Sequence, residues 1–303
     1  MVKQTDGTNM ENTSLLYKYQ TANIAIKLIV INVGVFLVFN LLPWIIQIDA
    51  IVLNRYFVLP SDVMRFIEQP WSILSYAFLH SGVWHLLWNM LYLYVFSKFI
   101  VNLFSEKRLL TVYLLGGIAG GIVFILLYNL LPAFQGNSVL LGASAAVNAL
   151  IVFIATYTPN TEIRVFFFNL KLWHIALIFV LIDLLGLPTS GNAGGSIAHL
   201  GGAAFGFLYA QQLLKGNDIG IWFEKLMDAV VNWFSKTPKR EKKSPLKTVH
   251  KRTNTKRTSS KKVTISKSEQ QHRVDAILDK ISKSGYESLS KDEKDFLFKA
   301  GKD

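Results

Sequence analysis

Residues 28–46 and 109–131 carry no charged side chain, and each run is long enough to cross about 30 Å of hydrocarbon as a helix. Nothing else in the chain narrows the fold so far. Four further apolar runs follow, at 85–96 extended to Val101, 139–157, 172–187 and 198–214, with Asp183 the one acid inside them and Lys98 near one end. A composition that is 51% hydrophobic is too apolar for an ordinary soluble domain unless it is gathered into such runs. The expected fold is therefore all-α: a polytopic membrane protein with six transmembrane helices. Residues 1–21 are polar and mixed in charge, so no secretory leader is expected. Cysteine is absent, which removes disulfides and thiolate chemistry together.

Lys and Arg close to membrane spans favour the cytoplasmic side. Lys18 and Lys27 precede the first span; Lys98, Lys107 and Arg108 flank the link between spans two and three; Arg164 and Lys171 lie between four and five. Residues 132–138 and 188–196 carry no charge, and 47–79 sets two arginines against Asp49, Asp62 and Glu68. Every second connection is basic. Both termini are thus expected in the cytoplasm, with the chain multi-pass in the cell inner (cytoplasmic) membrane. Spans two, four and six then enter from outside. His80 and His85, Ser144, and His199 lie near the starts of those three spans, so they fall at one depth just below the outer surface and are expected to form one site.

Polar groups are costly inside a bilayer, and their presence there points to function. A serine hydroxyl is a weak nucleophile until a base takes its proton, a task suited to histidine near neutral pH. Ser144 is the candidate nucleophile and His199 the candidate base. His85 and Asn89, four apart on one helical face, are candidate oxyanion donors together with the Ser144 amide. His80 lies roughly 140° around the helix from His85, so it is placed just before the regular helix, reaching back to the same site. No carboxylate falls in the pattern, and a Ser–His dyad is expected; Asp183 is read as structural, paired with a helix end or water. Gly116/Gly120, Gly117/Gly121 and Gly202/Gly206 read as close helix contacts. The glycine-rich stretch 188–196 reads as a mobile cap over the site, with span five as a gate for substrate.

These motifs resemble those of bacterial rhomboid intramembrane serine proteases. The family's H-x4-H-x3-N matches His80, His85 and Asn89; its G-x-S matches Gly142 and Ser144; its A-H-x-x-G-x-x-x-G matches Ala198, His199, Gly202 and Gly206. The resemblance covers roughly residues 22–214. It implies a six-helix rhomboid-like bundle, an endopeptidase that cleaves transmembrane protein substrates near the outer membrane face, a site open to water from outside, and no metal or cofactor. There are departures. Ala145 replaces the family's usual glycine and adds a methyl beside the oxyanion region. Asn148 stands where an aromatic often supports the histidine, and is expected to hold His199 by hydrogen bonding. Ser72 replaces the arginine that commonly follows the tryptophan, here Trp71. The alternative is a non-catalytic rhomboid-like protein that binds transmembrane clients. Zinc on His80, His85 and His199 is not expected without a carboxylate at that depth, and a transporter would call for paired charges or broken helices near the midplane.

After the last span, 215–235 reads as an amphipathic juxtamembrane segment on the inner surface. Residues 236–267 read as a disordered basic linker: from 236 to 262, twelve Lys/Arg face only Glu241, giving +11 of the formal +12. Such a segment attracts anionic lipid; its charge would also suit nucleic acid, but no nucleic-acid partner is expected. In 268–303, Val274, Ile277, Leu278 and Ile281 keep helical spacing, Gly285 stops that helix, and Ser290-x-x-Glu293 is a capping box opening another. This hairpin resembles the small C-terminal helical extension of some Bacteroidetes rhomboids and is expected to need a partner for its apolar face. With the chemistry placed near the outer face, truncation after Lys215 is expected to preserve it.

Overall fold

Short polar side chains decide where several helices begin in the computed structural model, which describes residues 15–134, 136–165, 167–189, 191–234 and 267–300. Helix α1 (Leu15–Thr21) leads into α2 (Ile24–Phe36), where the Asn23 side chain accepts a hydrogen bond from the Ile26 amide. A π turn at Leu37–Leu41 joins α2 to α3 (Leu42–Ile45), making Ile24–Ile45 one span. Pro43 accounts for the widened turn, because it offers no N–H to the carbonyl four residues back and crowds it. The connection that follows holds α4 (Ala50–Asn54), β1 (Leu59–Pro60), α5 (Val63–Glu68) and α6 (Ser72–Ser75). Asp49 and Asp62, two of its three acids, are spent as caps on α4 and α5. Next come α7 (Val83–Leu103) and α8 (Glu106–Leu130), the latter capped by Ser105 with Glu106 at its positive end. Strand β2 (Val139–Leu140) precedes α9 (Ser144–Tyr157), and the hairpin of β3 (Glu162–Val165) and β4 (Phe168–Lys171) joins it to α10 (Leu172–Thr189). Helices α11 (Ala193–Leu214) and α12 (Ile221–Phe234) complete the first unit.

The architecture is an all-α polytopic bundle built on α2–α3, α7, α8, α9, α10 and α11. Helix α9 is its centre. It packs against α7, α8, α10 and α11, and every residue from Ala145 to Ala155 is buried, as a helix apolar on all faces must be. The six spans are not equal, however. Ile24–Ile45, Val83–Leu103, Glu106–Leu130 and Leu172–Thr189 are each long and apolar enough to cross a membrane. Helix α9 has 14 residues, about 21 Å of rise against about 30 Å of hydrocarbon. Helix α11 is diluted by glycine, His199, Gln211 and Gln212. Both can fall short because protein surrounds them. A Cβ on Gly202 would overlap the Ala145 carbonyl oxygen and one on Gly206 that of Ala149, so α11 lies directly on the α9 backbone.

At the opposite end of the bundle from Ser144, α12 is clamped to α8 and α11. Arg108 pairs with Asp218 and, at 3.2 Å, with Glu224; Lys107 meets Asp228 at 2.6 Å; the Tyr209 hydroxyl donates to Asp218 at 2.8 Å. This corrects the boundary at 214. Arg108 is only 16% exposed, so cutting after Lys215 strands a largely buried guanidinium and a buried tyrosine hydroxyl. Each hydrogen bond to a charged group contributes about 1.5–3 kcal/mol. Truncation after Lys215 is therefore expected to lower the melting temperature and the yield of folded protein, whereas truncation after Lys236 leaves both unchanged. Equal melting of the two truncations in detergent would show that the clamp is dispensable.

The chain divides into two units, Met1–Thr237 and Pro238–Asp303. In the second, α13 (Lys267–Ser284) ends at Gly285, whose φ of 75° suits glycine. Helix α14 (Lys291–Ala300) opens with a reciprocal cap: the Ser290 amide donates to Glu293 at 2.7 Å and the Glu293 amide to the Ser290 hydroxyl at 3.3 Å. Lys280 reaches Glu293 at 2.9 Å, and the two helices enclose Ile277 and Leu289. Residues 1–14 and 235–266, including nearly all of the basic linker, lie outside the described residues.

Candidate active site

The turn before α9 is a glycine position for two reasons. Gly142 has φ of 127°, and a Cβ there would stand 2.7–2.8 Å from the His85 ring. Its amide donates to the Tyr76 carbonyl at 2.9 Å, and the Tyr76 hydroxyl donates to the Gly117 carbonyl at 2.6 Å. Just upstream, β2 pairs antiparallel with β1, Leu59 opposite Leu140, and the Ser61 amide donates to the Ser138 carbonyl at 2.9 Å. The long first connection is thus sewn to the strand that delivers Ser144 to the first position of α9. Amides in a first helical turn have no intrahelical acceptor, so those at the start of α9 remain available as donors beside the Ser144 hydroxyl.

His199 Nε2 lies 2.6 Å from Ser144 Oγ, and His199 Nδ1 lies 2.7 Å from Asp183 Oδ1. The side chains come from three helices: α9, α11 and the C-terminal half of α10. They face a cavity of about 880 Å³ that is also lined by Ser81, His85, Asn89, Asn148 and Asn192. His85 Nδ1 receives the Ser81 amide at 3.4 Å and contacts its hydroxyl at 3.1 Å. That leaves the ring proton on Nε2, the nitrogen turned towards Gly142 and the cavity. Asn89 donates one amide proton to the His85 carbonyl at 2.8 Å, and its second is free to serve the cavity.

Five expectations need correction. A carboxylate does sit at this depth: Asp183, read as structural, is bonded to His199, because α10 runs opposite to α11 and brings its far half to the same end. Asn148 lines the cavity, but the partner at His199 Nδ1 is Asp183 and not Asn148. His80 does not line this cavity. It is 4% exposed, packs edge-on against His85 with centroids 5.1 Å apart, and faces a separate space beside Arg55 and Arg65. Finally, 188–196 is no long cap. Helix α10 extends to Thr189 and α11 begins at Ala193, with Asn192 accepting the Gly195 amide at 3.2 Å and Gly194 to Ser196 buried. The small residues there admit Phe124 and Tyr128 against the helix start. The Ala145 methyl, too, packs on Gly120 of α8 and not beside the cavity. Ser81, which orients His85, carried no motif that singled it out.

A helical membrane bundle holding a Ser–His–Asp hydrogen-bonded chain in a cavity near one end defines a narrow class of protein. Residues 67–216 match the Rhomboid domain. Residues 247–299 match a family of unknown function, DUF6576. The RHOMBOID-like protein 12, mitochondrial, of Arabidopsis thaliana is 26% identical over 207 residues, 64% of this chain and 59% of its own length. The presenilin-associated rhomboid-like protein, mitochondrial, of Homo sapiens is 27% identical over 179 residues, 56% and 46% respectively. RHOMBOID-like protein 4 of Arabidopsis thaliana is 31% identical over 156 residues, 50% and 37%. The chain spans about half the length of the curated relatives it matches.

Proposed function

We propose that this chain is an intramembrane serine endopeptidase that cleaves transmembrane protein substrates near the outer membrane face. The observation that carries the reading is the 2.6 Å approach of His199 Nε2 to Ser144 Oγ at the wall of the cavity. Ser144 attacks the scissile carbonyl as His199 takes its proton. The developing oxyanion receives hydrogen bonds from His85 Nε2–H, the free amide proton of Asn89 and the amides opening α9. Collapse of the tetrahedral species returns the proton from His199 to the leaving amine, and water then releases the acyl group by the same route. The short α9 suits this role, since a helix of 14 residues sets its first residue below the level where longer spans end. Basic residues on alternate connections support a multi-pass arrangement in the cell inner membrane with both termini cytoplasmic.

The reading is tested by incubating purified protein in liposomes with generic transmembrane substrates, beside Ser144→Ala. Product formed by the wild type alone supports it. Binding without cleavage by either would favour a client-binding protein instead. Within that assay, His85→Ala and Asn89→Ala are each expected to lower kcat about 10²–10³-fold, the usual effect of losing one oxyanion donor. His80→Ala is expected to act less strongly, through the packing of His85. A kcat near wild type for both His85→Ala and Asn89→Ala would remove them from the oxyanion site.

A further inference from the structure

We propose that Asp183 is a positioning residue that fixes the tautomer of His199. The inference rests on the reading of Ser144 and His199 as nucleophile and base, and it extends that reading from a dyad to a three-residue chain.

For the Ser144 hydroxyl to donate to His199 Nε2 across 2.6 Å, that nitrogen must be bare, so a neutral ring carries its proton on Nδ1. Asp183 Oδ1, 2.7 Å from Nδ1, is the acceptor that makes this tautomer the stable one. An ionised carboxylate accepts and cannot donate, so it selects against the opposite tautomer, in which Nε2 would hold the proton and be useless as a base. When the serine proton arrives, the resulting imidazolium lies against a negative charge in a site where Asp183 is only 11% exposed. Screening there is weak and the attraction is correspondingly strong.

Buried residues of α10 are Leu172, Ile175, Ala176 and Asp183. Beyond Ala176, Asp183 is therefore the one buried side chain among the described residues of that helix, while Ile182, Leu184 and Leu185 are exposed. Asp183 is thus the side chain by which the C-terminal half of α10 reaches His199.

The test uses Asp183→Asn and Asp183→Ala in the full chain. Asparagine matches the carboxylate in shape and keeps hydrogen-bonding capacity, so a merely structural Asp183 tolerates it. The expected result is a kcat lowered on the order of 10³–10⁴-fold in both variants, by analogy with loss of the orienting aspartate in soluble serine proteases. KM and the melting temperature of Asp183→Asn should stay close to wild type. Independently of turnover, ¹⁵N-histidine spectra, with the His199 signals assigned by their absence in His199→Ala, should show Nδ1 protonated in wild type and this preference lost in Asp183→Ala. A wild-type kcat in Asp183→Asn, a loss confined to KM, or a His199 tautomer indifferent to Asp183→Ala would each overturn the proposal. An inactive wild type would count against the protease reading, and the spectra would still decide the role of Asp183.

Discussion

Ser144→Ala and His199→Ala are each expected to abolish cleavage, with a loss on the order of 10⁶ in kcat, and Ser144→Ala to do so with no loss of fold. The magnitude follows from what each atom does. Without Oγ there is no nucleophile, and without the imidazole the hydroxyl keeps its proton; removing either member of such a unit from a serine protease has cost about that factor. The double variant should be no worse than either single one, because the second change removes a group already idle. Fold should survive because Ser144 Oγ bonds to His199 and to no other described group, while His199 in Ser144→Ala still holds Asp183. The burial of α9 from Ala145 to Ala155 does not involve that oxygen. The measurement is single-turnover cleavage of one transmembrane substrate in liposomes, with melting in detergent as the folding control. Appreciable turnover by Ser144→Ala, or a double variant slower than both singles by the product of their effects, would end the nucleophile–base assignment.

The long apolar helices and their order were legible from residues alone, because each depends on local chemistry. Charge-free runs, helical spacing and alternate basic connections are properties of neighbours in sequence. What depended on the register between separate helices was not legible. Asp183 announced itself as a lone acid in an apolar run, but whether it faced lipid, a helix end or His199 turned on how α10 lies against α11. The same holds for Arg108, whose partners Asp218 and Glu224 follow it by more than a hundred residues. His80 misled for a related reason. Spacing related it to His85, and it does touch that ring, but the extended backbone at Leu79 turned its own ring to the other side. The Gly-Ser-rich start of α11 imitated a loop because small residues serve close helix packing and flexible linkers equally well.

Packing between α9 and α11 supplies the other large effect. Gly202→Val is expected to destabilise the bundle by about 3 kcal/mol or more, the upper end for overpacking a well-filled core, and to lose activity with it. The ideal Cβ at position 202 overlaps the Ala145 carbonyl oxygen, and it is 3.3 Å from Ala145 Cα. Both are backbone atoms of a helix buried on every side, so neither can yield as a flexible side chain would. The only relief is to move α11 away from α9. Position 202 is one helical turn from His199, and Ala145 adjoins Ser144, so that movement lengthens the 2.6 Å contact between His199 and Ser144 directly. At about 2–4 °C per kcal/mol for a domain of this size, the melting temperature should fall by roughly 6–12 °C. Gly34→Ala is the matched control. Gly34 lies within α2, and a Cβ there meets nothing within 4 Å, so alanine should hold or raise stability by about 0.5–1 kcal/mol through its better helix propensity. Melting and turnover measured side by side settle the matter: Gly202→Val behaving like Gly34→Ala would mean that α9 and α11 do not lie backbone to backbone, and the geometry that joins His199 to Ser144 would fall with that contact.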